Sequence, residues 1–255
     1  MSEHVRVEKQ GPLLSITLAR PERRNAITVG MYGALADAVE QGAADETARA
    51  ILFRGEGMDF AAGNDLADFL EARPGGGEEI AVWRFLRALV ACEVPLIAAV
   101  HGNCVGIGTT MLLHCDLVIA EKGTRFSLPF VDLGLVPEAA SSLLLPRLSG
   151  RRIAAKALLL GEPFGVEEAL SIGLVSHMAA EGNLEQLVGE VVDRLLSKPA
   201  AALRETQRLL RHGSSEETME RMKLESGIFA RCLASPEVKQ AIHAFFAKRA
   251  EKPQP

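Results

Sequence analysis

Pro95-Leu96-Ile97-Ala98-Ala99-Val100-His101-Gly102-Asn103-Cys104-Val105-Gly106-Ile107-Gly108-Thr109-Thr110-Met111 is the most informative stretch of the chain. Its first six residues form an unbroken apolar run, the pattern of a strand covered on both faces. A glycine-rich turn follows at once, and the next residues read as a helix start. Three more runs of strand character flank this one. Leu13–Leu18 alternates Leu14, Ile16 and Leu18 against Ser15 and Thr17, and Ala50–Phe53 and Leu117–Ala120 are short and fully apolar. Helical spacing fills the gaps. Thr28 is placed to cap a helix carrying Met31, Leu35 and Val39, and Glu78–Ala91 carries Ile80, Trp83, Leu86, Leu89 and Val90. Strand and helix alternate, which predicts an α/β fold with a helix-covered sheet.

The character changes from about Arg147. Helical segments follow one another at Gly150–Leu160, Val166–Ser171, Leu184–Ser197, Ala200–Leu210, Glu216–Cys232 and Pro236–Lys248, separated by Gly161, Gly173, Gly182, Pro199 and Gly213. An α/β core over residues 1–195 and an α-helical region over residues 196–255 are expected. Pro74-Gly75-Gly76-Gly77 reads as a flexible loop entering the Glu78 helix.

Composition narrows the function classes. The 255 residues are 48% hydrophobic, which suits a packed core rather than disorder. With 28 Lys+Arg against 33 Asp+Glu the net charge is −5, so no general nucleic-acid surface is expected. No apolar run is long enough to span a membrane. Ser2, Glu3, His4, Arg6, Glu8 and Lys9 make the first ten residues polar, unlike a secretory leader, and a cytoplasmic location is expected. Cys92, Cys104, Cys115 and Cys232 are too scattered for a disulfide framework, and Cys104, His114 and Cys115 lack metal-ligand spacing, so no metal site is expected. Gly106-Ile107-Gly108 is not followed by the rest of a dinucleotide fingerprint, and neither a P-loop nor a nucleophile elbow occurs.

Three segments could carry chemistry. Phe60-Ala61-Ala62-Gly63-Asn64-Asp65-Leu66 and His101–Gly108 are glycine turns on successive strands, each ending at a helix start. They serve either as tight connections or as a pair of backbone N–H donors converging on one oxygen, an oxyanion hole. In the third, Glu138 follows Pro137 and precedes Leu143, Leu144 and Leu145. Pro137 at the first helical position puts Glu138 in the first turn. There it is either a complement to the helix dipole or a desolvated carboxylate suited to be a general base. Asp65 and Asp132 are further carboxylates, the first also suited to capping a helix.

Together these segments resemble the crotonase (enoyl-CoA hydratase/isomerase) superfamily. Arg20-Pro21-Glu22-Arg23-Arg24-Asn25-Ala26 is similar to its first coenzyme A loop, and Phe60–Leu66 and His101–Asp116 are similar to its two oxyanion turns. Phe126–Pro137 and Gly161–Val175 also match, so the likeness spans residues 5–250. It implies the ClpP/crotonase fold of repeated ββα units, an α-helical C-terminal trimerisation region giving a homotrimer or dimer of trimers, and acyl-CoA thioester substrates of fatty-acid metabolism such as β-oxidation. Coenzyme A then enters as part of the substrate, with no tightly bound cofactor. The N–H groups of Ala62 and Ile107 are the implied oxyanion donors. Arg23, Arg24, Ala26, Ala62, Gly63, Asn64, Asp65, Leu66, Ile107, Phe245 and Lys248 are the implied coenzyme A contacts.

Two departures bear on the reaction. The two glutamates of family hydratases fall at Thr110 and Phe130, neither of which can move a proton near neutral pH. Pro129-Phe130, Leu133-Gly134-Leu135 and Pro137-Glu138 are instead similar to the peroxisomal-type Δ3,Δ2-enoyl-CoA isomerases, in which the base stands at the place of Glu138. An isomerase is therefore expected. The alternatives are hydration or another crotonase-type reaction, and a non-catalytic acyl-CoA-binding protein.

Overall fold

The computed structural model describes residues 2–67 and 77–250, with the side chains of all of these except 77–80, 243 and 245–250. The loop expected at 74–77 thus lies outside the described residues up to Gly77, where a helix begins. Among the described residues there are nine strands: β1 (Val5–Gln10), β2 (Leu13–Leu18), β3 (Ala50–Gly55), β4 (Leu96–Val100), β5 (Asn103–Val105), β6 (Leu117–Glu121), β7 (Arg125–Ser127), β8 (Phe164–Gly165) and β9 (His177–Ala179). The helices used below are α1 (Val29–Ala44), α2 (Gly77–Ala91), α3 (Ile107–Thr110), α4 (Ser141–Ser149), α5 (Arg151–Leu159), α6 (Val166–Ser171), α7 (Leu184–Leu196), α8 (Ala200–Arg211), α9 (Ser215–Leu233) and α10 (Pro236–Ala250). The α/β reading holds, and every predicted helix from Gly150 onward is present within a residue or two of its expected ends.

Strands β1-β2-β3-β4-β6-β9 form one sheet, and β5-β7-β8 a second, smaller one. Among the described residues, the β1–β2 pair of the large sheet is antiparallel and its other pairs are parallel. The central strands show why their sequences lack alternation. Ile51, Phe53, Leu96, Ala98, Val100, Val118 and Ala120 pack into the main core on one face. Ala50, Leu52, Ile97, Ala99 and Ile119 face the other way, against Leu184, Val188, Val191 and Val192 of α7. Each of those four aliphatics contributes roughly 1.5–3 kcal/mol by leaving water. Strand β1 was not legible in the sequence because all but Val5 of it is exposed and mostly charged, as suits an edge strand that must not recruit another sheet.

Local chemistry fixes the helix ends. The Thr28 hydroxyl accepts from the Met31 N–H at 3.3 Å, as its N-cap position requires. Thr28→Ala should lower stability by about 1 kcal/mol, read as a shifted urea midpoint at unchanged slope.

The C-terminal helices share the main core rather than standing apart from it. Met222, Val238 and Ile242 are buried among its residues. A polar tie adds to this. Asp116 Oδ2 accepts from the Leu96 N–H (2.7 Å), Gln207 Nε2 (2.8 Å) and Arg211 Nη2 (3.3 Å). Arg211 also donates to the carbonyls of Leu89 (2.8 Å) and His114 (2.9 Å). One half-buried carboxylate thereby joins the start of β4 to α8.

Candidate active site

The two glycine turns are laced together. The Phe60 N–H donates to the His101 carbonyl (2.9 Å), Ala61 N–H to Asn103 O (3.2 Å), and Val105 N–H back to Ala61 O (2.9 Å). On its other side the first turn pairs with residue 27: Ile27 N–H donates to Gly63 O (2.8 Å) and Asp65 N–H to Ile27 O (2.9 Å). Gly102 is where the second turn leaves β4. Its φ is +59°, and a Cβ there would lie 1.9 Å from the Met58 carbonyl oxygen. Gly108 lets α3 sit down on the first turn, since a Cβ would come within 2.8 Å of Ala61 Cβ.

Ile107 is the first residue of α3 and is fully buried. Its N–H therefore has no acceptor within the helix. Ala62 differs: its N–H donates to the Arg24 carbonyl at 2.9 Å. Of the two expected donors, this one is engaged here and reaches a ligand only when that carbonyl gives way.

The other predicted contacts cluster around the first turn. Asp65 is committed to structure. Its Oδ2 pairs with Arg20 Nη1 at 2.7 Å, and its Oδ1 accepts from the Ala67 N–H at 3.0 Å, the capping role. Asn64 Oδ1 accepts from the Tyr32 hydroxyl. The Ala26 carbonyl accepts from Arg20 Nη1 at 3.0 Å, and Leu66 packs on the core. Arg23 and Arg24 are exposed, with Arg24 Nε 3.7 Å from Asp59 Oδ2. Phe245 and Lys248 fall on α10, where their side chains lie outside the described residues. Thr110 and Phe130 are buried, and the Thr110 hydroxyl points back to the Ile107 carbonyl at 3.5 Å. Asp132 lies in a short 3₁₀ turn, Val131–Leu133, and is exposed.

Glu138 does not sit in a helix. The expectation that Pro137 opens the helix is corrected: α4 begins at Ser141, because Ala139 and Ala140 adopt left-handed backbone (φ +57° and +56°). Alanine takes that conformation only when its surroundings hold it there. Four contacts do. His114 Nε2 donates to the Ala139 carbonyl at 2.9 Å. Glu225 Oε2 accepts from the Ala140 N–H at 2.7 Å. The Ser141 N–H and hydroxyl both donate to the Glu138 carbonyl, at 2.9 and 2.6 Å.

The Glu138 side chain is buried, and among the described residues its Oε1 has no hydrogen-bond partner. Burial first, and the Glu225 carboxylate second, push its proton affinity up, to a pKa of about 8. The Glu138 carboxylate lies close enough to Tyr32 to help burial hold that phenol neutral. His114 is buried and pushed down to about 4, so it stays neutral near pH 7. Cys104 is a buried thiol.

Tyr32 and Glu225 were missed in the sequence, and His114 was weighed there only as a metal ligand. A signal existed for Glu225, which lies on the buried stripe of α9 with Met222 and Phe229 at helical spacing. A carboxylate on an apolar stripe needs a partner.

The two glycine turns are laced together, and the buried Glu138 carboxylate stands near Tyr32, whose hydroxyl bonds Asn64 of the first turn. Comparison with known proteins gives the family. The family model described as "Enoyl-CoA hydratase/isomerase" matches residues 8–254. The chain belongs to the enoyl-CoA hydratase/isomerase family and has the crotonase fold. A 1,2-epoxyphenylacetyl-CoA isomerase of Escherichia coli is 29% identical, over 98% of this chain and 97% of that protein. Enoyl-CoA delta isomerase 2 of Rattus norvegicus is 34% identical over 84% of this chain and 56% of its own length. A crotonyl-CoA hydratase of Syntrophomonas wolfei is 30% identical over 97% of this chain and 96% of its own. Among solved structures, Pseudomonas aeruginosa OdaA superposes with a TM-score of 0.91 at 40% identity, covering 96% of this chain and 99% of that one. The protein is thus a crotonase-family acyl-CoA enzyme. Among the described residues no helix is long and apolar enough to cross a membrane.

Proposed function

We propose that the protein is a Δ3,Δ2-enoyl-CoA isomerase with Glu138 as its single acid/base. The observation that carries this is the Glu138 carboxylate, buried with one oxygen unpartnered and with a proton affinity raised toward the working pH. The ionised carboxylate takes a proton from the α-carbon of a 3-enoyl thioester. The electron pair delocalises onto the thioester oxygen as a dienolate, held by the Ile107 N–H and by the Ala62 N–H once the Arg24 carbonyl is displaced. The neutral carboxylic acid then returns the same proton at the γ-carbon, leaving the double bond conjugated and the base ionised again. One carboxyl group completes this cycle, whereas hydration needs a second group to activate water. Thr110 and Phe130 supply none.

Arg23, Arg24 and Lys248 are the cations proposed for the coenzyme A phosphates, with Phe245 closing over the nucleotide. Gly63, Asn64, Asp65 and Leu66 would shape the pantetheine path, in which Asp65 acts through its Arg20 pair rather than as a base. The proposed homotrimer or dimer of trimers accords with the exposed Leu209, Leu210 and Leu224 on α8 and α9.

The deciding assay offers the protein a 3-enoyl-CoA and, separately, a 2-enoyl-CoA in water. Absorbance of the conjugated thioester should rise with the first and stay level with the second. Loss of conjugated absorbance with the second, and no rise with the first, would overturn the isomerase assignment in favour of hydration.

A further inference from the structure

Glu225 is a glutamate whose burial the isomerase chemistry does not by itself explain. It projects from α9 and is 5% exposed. Its Oε2 accepts from the Ala140 N–H at 2.7 Å. Its Oε1 accepts from the Ser142 N–H at 3.0 Å and from the Ser142 hydroxyl at 2.5 Å. Every one of these contacts is a donor, so the ionised form fits the site and a proton on Glu225 would break one of them. Burial raises the Glu225 proton affinity above that of a free carboxylate; the Ser142 and Ala140 donors act against that rise, as does Arg221, one turn earlier on α9, which donates to the Ser142 hydroxyl at 3.2 Å.

The contacts fall immediately after the base. Glu225 takes the place of an N-cap side chain for α4, whose own N-cap residue, Ala140, has no polar side chain. It thereby holds a left-handed alanine pair in place. The direction of the Glu138 side chain depends on that turn.

We propose that Glu225 is a positioning residue for Glu138: its carboxylate clamps the Ala140–Ser142 turn that aims the base and lays a fixed negative charge beside it. The inference rests on Glu138 being the base. The charge makes Glu138 harder to ionise and correspondingly a stronger acceptor once ionised. Other groups around Glu138 contribute little charge. Among the described residues, Tyr32 of α1 is held neutral, His114 is neutral and spends Nε2 on the Ala139 carbonyl, and Arg211 reaches the His114 carbonyl rather than the base. Arg221 faces Ser142. Among the described residues Glu225 is thus the charge that adds to burial in raising the proton affinity of Glu138.

The test compares Glu225→Gln and Glu225→Asp with the wild type in 3-enoyl-CoA isomerisation across pH. Glutamine keeps the volume, removes the charge and retains one acceptor oxygen. Its acid limb in kcat/KM should move to lower pH, because an ionised Glu138 no longer faces a like charge. Its kcat should fall by about tenfold to a hundredfold as the turn loosens, with KM little changed. Aspartate keeps the charge but is too short for both amides, so its kcat should fall at an unmoved limb. A glutamine variant that folds, by circular dichroism, and keeps its limb at the wild-type pH overturns the proposal. Should that variant not fold, an aspartate variant with unreduced kcat overturns it, and one with reduced kcat at the wild-type limb supports it. Glu138→Gln, run in parallel, separates the two levels. If it retains full activity, the assignment of the base has failed; if it is inactive while the Glu225 variants behave as wild type, only this inference has.

Discussion

Glu138→Gln should abolish double-bond migration, with kcat falling by about 10²–10⁴-fold, the contribution of a positioned acid/base, while acyl-CoA binding is nearly unchanged. The amide has the same shape and cannot take a proton, so the loss lies in the chemical step and not in substrate affinity. In the wild type the rate should rise with pH to a plateau above about 8, because only the ionised form abstracts a proton. At pH 7 roughly one enzyme molecule in ten carries that form in the absence of substrate. The same substitution should change stability in a defined direction. The folded protein holds a proton on Glu138 that the unfolded chain releases near pH 4.5, so the wild type loses stability as pH rises from 4.5 to about 8. Glu138→Gln lacks that slope. Thermal melts of the two proteins should diverge in the variant's favour across this window and run parallel above it. A constant offset at all pH values would mean that Glu138 is not buried as described.

Gly102→Ala is the second large effect, and it acts on folding. The left-handed φ of +59° costs an alanine about 1–2 kcal/mol. The added Cβ would also overlap the Met58 carbonyl oxygen at 1.9 Å and crowd Asp59 Oδ1 at 2.8 Å. Both obstacles are backbone or tightly bonded: Asp59 Oδ1 already accepts from the Asn103 N–H and Nδ2, at 2.8 and 2.6 Å. Relief requires the two glycine turns to part, which shifts Ile107 as well. A loss of more than about 3 kcal/mol is expected, visible as a large drop in the urea midpoint, together with loss of isomerisation in whatever folds. A midpoint within error of the wild type would show that the turn can move freely.

The central strands were readable because burial on both faces leaves an unbroken apolar run, and α7 and α1 because their apolar spacing is regular. Strands β5, β7 and β8 were not: two or three residues carry no period. Glu138 was singled out as a residue but misplaced as an element. Pro137 followed by a glutamate and an apolar run is the local signature of a helix start. What overrides it is tertiary, the grip of His114 and Glu225 on Ala139 and Ala140, and nothing in two adjacent alanines announces a positive φ. The bond from Ala62 to Arg24 was equally illegible, since a backbone donor leaves no mark on residue type.

The reach of α9 into the turn after Glu138 has a bearing on protein engineering. A recombination breakpoint between Ala179 and Arg221 would look harmless in a sequence alignment, because both sheets and both glycine turns would arrive intact from one parent. A chimera made that way would nevertheless pair one parent's Glu138 turn with the other parent's Glu225. The break least disruptive to function would keep residues 138–142 and 221–225 from the same ancestor.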